Sequence, residues 1–173
     1  MTKIKEYRGV PSIYVWIAGF VAVAYGYFMP KPEHDWESMA ILILLVLAGF
    51  VFMIVVHELL HGVLFKAYTG KVKFGFLPKK FAFYATSPNS IITKEHFIQI
   101  CLFPQILIFP CLLIAWIFPT QLISYIAITI FVFNLLGGVS DWWVALTLAH
   151  YKDNVLIEDT MSGMTVYEPV DSI

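Results

Sequence analysis

Four long apolar stretches separated by short polar interruptions dominate the chain. The first runs from Pro11 to Met29 and stops at Pro30-Lys31-Pro32, which cannot continue a helix. The second begins near Ser38, where Asp35 and Glu37 suit a helix N-terminus, and continues to about Lys66. The third opens at the capping-like Thr93-Lys94-Glu95-His96 and reaches Phe118, with Pro104 and Pro110 predicting a kink. The fourth extends from Gln121 to Leu148. Each is close to the roughly 20 apolar residues that a spanning helix needs. The expected fold is therefore an all-α integral membrane protein, a single membrane domain over 1–173, with four transmembrane helices at about 11–29, 38–66, 94–118 and 121–148.

Between the second and third stretches the pattern changes. Lys71-Val72-Lys73-Phe74 and Phe81-Ala82-Phe83-Tyr84 alternate with a period of two and are rich in β-formers, with Gly75 and Pro78-Lys79-Lys80 between them. This predicts a short hairpin-like element in loop 67–93, lying at the membrane interface. It reads equally as an aromatic anchor at headgroup depth and as a strand edge that pairs with an extended substrate.

Composition agrees with the bilayer as solvent. Of 173 residues, 60% are hydrophobic, 17% aromatic and only 13% charged, about half the charge of an ordinary soluble domain. A net charge of −1 leaves no basic excess for nucleic acid. Four spans place residues 1–10, 67–93 and the tail 149–173 on one side, and those segments with the adjoining span ends hold ten of the eleven Lys and Arg residues, Lys31 being the exception. The expectation is an integral protein of the plasma membrane with both termini in the cytoplasm. The first span could instead be a signal peptide cut near Ala22-Val23-Ala24, but its apolar run continues to Phe28. Cys101 and Cys111 are ten residues apart, roughly 15 Å on a helix, and read as packing residues.

The chemistry lies in the second span. His57-Glu58-Leu59-Leu60-His61 is an H-E-x-x-H motif: residues i and i+4 share a helix face, so both imidazoles can bind one Zn²⁺ while Glu58 accepts a proton from water. His57 is roughly 14 Å from the end of its span, too deep to snorkel, and ionisable groups at such depth mark function.

A hydrolytic zinc needs a third ligand. Asp141, roughly 10 Å from the same end of the parallel fourth span, matches in depth and is the one carboxylate besides Glu58 deep within a span. Asn134, Gly138 and Asp141 would line one stripe of that helix. Asn134 could support the site or bond between helices, and Gly138 would allow close approach, with Gly62 as the matching small residue. His34 is on the wrong side, and His96 and His150 read as interfacial; Asp159 could fold back over the site mouth but reads rather as part of a solvated acidic turn.

With these residues in view, the H-E-L-L-H-G segment, the K-F-G-F loop, the N-L-L-G-G-V-S-D run and the acidic, Gly-containing tail together resemble a family of small prokaryotic membrane zincin peptidases. More distantly they resemble the site-2 class of intramembrane zinc metalloproteases. The larger class usually carries a Pro or an Asp-Gly pair around its third ligand, whereas Asp141 is followed by Trp142. The resemblance implies zinc held by His57, His61 and Asp141, with Glu58 as general base, and brings no substrate with it. The expected function is hydrolysis of a peptide bond in a membrane protein or peptide near the cytoplasmic side. The partners are that substrate and the lipid bilayer, and no nucleic acid. The rival is a membrane metal-binding or transport protein that cuts nothing, for which a base at Glu58 is not required.

Overall fold

The computed structural model describes residues 1–8, 10–28, 36–78, 82–118, 121–160 and 163–169. Pro30-Lys31-Pro32, His34, Asp35 and Lys79-Lys80 lie outside them. All four apolar stretches are helical. They form α1 (Ser12–Phe28), α2 (Trp36–Thr69), α3 (Lys94–Leu102) continued through a 3₁₀ turn (Phe103–Leu107) into α4 (Ile108–Ile117), then α5 (Gln121–Gly137) and α6 (Val139–Ala149). Ile43–Thr69 and Lys94–Ile117 are each long and apolar enough to cross a bilayer, and α5 with α6 adds a third such segment if the bent pair is counted as one. This is a membrane protein.

Two departures from a run of plain helices have visible causes. Pro104 sits in the 3₁₀ turn; it has no N–H to donate and its ring opposes the preceding turn, so the α-helical ladder breaks there. The fourth stretch breaks at Gly138, where two consecutive glycines lower helix propensity.

One compact unit comprises Ser12–His57 and Gln105–Val139. Within it α1 and α4 both pack on α5. Phe50 lies against Phe133 with ring centroids 4.9 Å apart, and Ile130 occupies the space a side chain at Gly49 would need. Trp16, Phe52, Phe109 and Trp116 leave 70% or more of their surface uncovered. Aromatic area of that extent suits contact with lipid rather than water.

The other unit comprises Met1–Pro11, Glu58–Pro104 and Ser140–Ile173, and it shows that an all-helical description is too narrow. Strands β1 (Thr2–Tyr7), β4 (Ile91–Thr93), β5 (Leu156–Thr160) and β6 (Gly163–Glu168) form a four-stranded sheet in the order β1-β6-β5-β4. Its neighbours are all antiparallel. The tail is thus not a solvated turn. Leu156-Ile157 and Met164-Thr165-Val166 supply alternating β-formers, and Ile157, Met164 and Val166 are buried against Phe65, Phe97, Ile100 and Leu148. At about 25 cal/mol per Å² of apolar area, that contact is the main force docking the sheet on the ends of α2, α3 and α6.

The expected hairpin is present as β2 (Lys73–Leu77) and β3 (Ala82–Thr86), paired Phe74 with Ala85 and Phe76 with Phe83. Phe74, Phe76 and Phe83 are exposed.

Candidate metal centre

His57, Glu58 and His61 lie in mid-course on α2, and one ligand atom from each falls within 4.8 Å of the others. The i, i+4 spacing stacks the imidazoles on one face. Both histidines are buried and Glu58 is half-buried.

His61 Nδ1 lies 2.8 Å from the backbone oxygen of Ile100. A carbonyl oxygen can only accept, so Nδ1 carries the proton and the lone pair of the neutral ring is on Nε2. Nε2 faces Asp141 Oδ1 at 3.6 Å. Two ligands each about 2.0–2.2 Å from a tetrahedral zinc stand about 3.3–3.6 Å apart. The His61–Asp141 pair therefore has the separation of two corners of such a site, and imidazole with carboxylate is a donor set that zinc takes.

Asp141 owes its position to the break at Gly138, which places it in the first turn of α6, where the helix dipole favours a carboxylate. The helix expected to carry Asn134, Gly138 and Asp141 is broken between them, Asn134 belonging to α5 and Asp141 to α6. Asn134, completely buried, instead meets the other histidine: its Oδ1 lies 3.1 Å from His57 Nδ1. The contact joins α5 to α2.

Small residues at the site face other neighbours than expected. A Cβ on Gly62 would fall 2.2 Å from the ring of Phe74, and one on Gly138 would fall 2.1 Å from Gln105 Nε2. Gly62 admits the β2–β3 hairpin, and Gly138 makes room for a glutamine.

A cavity of about 340 Å³ opens beside Glu58, His61 and Asp141, with β3 residues Phe83 to Thr86 along one wall. Asp159 of β5 is on its lining too, so the tail folds over the site. Thr86 Oγ1 donates to Asp159 Oδ2. Burial pushes the Asp159 carboxyl up to about 6, against the opposing pull of the Thr86 hydroxyl, the Ser87 N–H and the charge of His61. His96 stacks on Tyr68, with centroids 4.0 Å apart, and His150 Nδ1 bonds the Leu146 carbonyl; neither lines the cavity. Cys101 does, as a free thiol buried in the core.

Sequence reasoning missed Gln105 and the Ile100 carbonyl, and for Asp159 it favoured a solvated turn over the place at the site mouth that it also offered. Pro104 was a legible signal for the second, since a proline releases the carbonyl four residues before it from its helical partner.

No match to the chain is found among curated proteins or among solved structures. Residues 50–156, which carry His57, Glu58, His61, Asn134 and Asp141, match a family described as "putative zincin peptidase"; with more than half its length so matched, the chain belongs to that zinc-peptidase family.

Proposed function

We propose that the chain is an intramembrane zinc metalloprotease that hydrolyses a peptide bond of a membrane protein or peptide near the cytoplasmic face. His57, His61 and Asp141 hold the metal and Glu58 serves as general base. The observation that carries this reading is the 3.6 Å approach of Asp141 Oδ1 to His61 Nε2, beside a cavity that Glu58 also lines. The depth of the H-E-x-x-H motif in an apolar segment long enough to span supports action within the membrane. The distribution of Lys and Arg supports four spans with cytoplasmic termini.

Zinc, when bound, makes a coordinated water acidic near neutral pH and polarises a carbonyl. Glu58 takes the proton from the attacking water and returns it to the leaving nitrogen. A helical segment has its carbonyls already engaged, so the substrate is cut in an extended form. β3, forming a wall of that cavity, supports a role in holding the unwound segment alongside Glu58.

The test is Glu58→Gln in purified protein reconstituted with a membrane substrate. Glutamine keeps the shape but cannot take a proton, so zinc content should be unchanged while cleavage falls by roughly 10²–10⁴-fold. Cleavage equal to wild type would overturn the reading. Zinc movement across vesicles without cleavage would put the transport reading in its place.

A further inference from the structure

The helical run from Lys94 to Ile117 supplies no ligand in the reading above, yet two consecutive residues at its break each govern one histidine. Pro104 stands where an α-helix would send its N–H to the carbonyl of residue 100. Having none, it leaves the Ile100 oxygen without its helical donor, and that oxygen takes the proton of His61 Nδ1 at 2.8 Å. Gln105 acts through Asn134. Its Oε1 accepts from Asn134 Nδ2 at 3.5 Å, a long contact, and Asn134 Oδ1 accepts from His57 Nδ1 at 3.1 Å.

The order of donors and acceptors matters. With Oε1 of Gln105 toward Asn134, the asparagine must present Nδ2 to it and Oδ1 to His57, so Nδ1 is protonated and the lone pair is on Nε2. Were Gln105 turned over, Asn134 would turn with it, and His57 would carry its proton on Nε2, where it cannot bind metal. Gln105 keeps this orientation although its buried Nε2 then has no hydrogen-bond partner among the described residues. Gly138 leaves the room in which that amide sits.

We propose that Pro104 and Gln105 are positioning residues for the metal, Pro104 fixing His61 through the Ile100 carbonyl and Gln105 fixing His57 through Asn134. The proposal rests on the metallopeptidase reading. Outer partners of ligating histidines typically change metal affinity by 10–100-fold when removed.

The experiment measures zinc affinity by chelator competition, and the visible spectrum of the cobalt(II) form, for the full chain in detergent. Pro104→Ala restores an N–H that competes for the Ile100 oxygen. It should weaken zinc about tenfold and alter the cobalt bands while thermal stability stays equal or rises, because alanine suits a helix better. Gln105→Leu should weaken zinc similarly. Gln105→Glu, which still accepts from Asn134, should restore it. Gly138→Ala, which leaves both amides chemically intact but occupies the Gln105 pocket, should behave like Gln105→Leu. Wild-type affinity and spectrum in Pro104→Ala, Gln105→Leu and Gly138→Ala would overturn the proposal while leaving the metallopeptidase reading intact. Failure of the wild-type protein to bind zinc would overturn both.

Discussion

The ring of Phe74 fills the space left by the missing side chain of Gly62, close enough that a Cβ there would fall 2.2 Å from Cζ and 2.6 Å from Cε1. Gly62 follows His61 directly, so the hairpin is seated on the same turn of helix that carries the metal-site histidine. On an unobstructed helix Gly→Ala would be worth up to about 1 kcal/mol of stability. Here the overlap is with a ring held in a strand, and overpacking of that kind costs about 1–3 kcal/mol. Gly62→Ala should therefore loosen the hairpin, seen as faster proteolysis within 67–90, and Gly62→Ala with Phe74→Leu should recover protection. Equal proteolysis of wild type and Gly62→Ala would show that the contact does not hold the hairpin.

Asp141→Ala and His61→Ala should each lower zinc affinity by at least tenfold, since a site left with two protein ligands binds zinc poorly. Zinc stoichiometry under a fixed concentration of competing chelator measures this. If Asp141→Ala retains wild-type zinc, the third ligand lies elsewhere, and Asp159, on the same cavity, is the next carboxylate to replace.

Asp159 gives a pH dependence of definite sign. Its carboxyl is raised from the ordinary 3.8 to about 6, so the fold prefers the protonated form. Stability from this group is present below pH ~4 and is lost as pH rises through about 6. In chelator-treated protein, Asp159→Asn should be more stable than wild type at pH 7–8, by up to about 3 kcal/mol. The difference should vanish near pH 4. Thermal melts of both forms across that range check it; a gap that widens on acidification would contradict the burial argument.

Cytoplasmic termini are testable by fusion. A reporter joined after residue 173 should be active only if its folding requires the cytoplasm. Activity of an exported reporter instead would reverse the topology, and with it the side from which substrate reaches Glu58.

The sequence announced its helices because long apolar runs carry their own signal, and it announced the metal site because His57, Glu58 and His61 are close in sequence and costly in lipid. The β2–β3 hairpin was legible from its period of two. The four-stranded sheet was not. β1 is short, mostly exposed and charged (Thr2-Lys3-Ile4-Lys5-Glu6-Tyr7), and it pairs with residues 164–168 at the other end of the chain. No local pattern encodes a partner that distant. Likewise the contacts of Asn134 with His57 and of Gln105 with Asn134 join residues 77 and 29 positions apart. The Gly137-Gly138 pair was visible and Gly138 was read as allowing close helix approach, although two glycines in succession also permit the break after which Asp141 begins a new helix.

The sheet has a consequence for counting. Backbone-bonded strands in the order β1-β6-β5-β4 must all lie on one side of a bilayer, because a lipid layer cannot pass between hydrogen-bonded neighbours. The chain leaves that sheet after Tyr7 and returns at Ile91; it leaves again after Thr93 and returns at Leu156. Each excursion must therefore cross an even number of times. If α2 goes through, α1 must as well, although it is only 17 residues long, and if Lys94–Ile117 goes through, the broken α5–α6 segment must bring the chain back. Crossings are gained or lost in pairs, so if α2 crosses, an α1 too short to span would be incompatible with the pairing of β1 with β6.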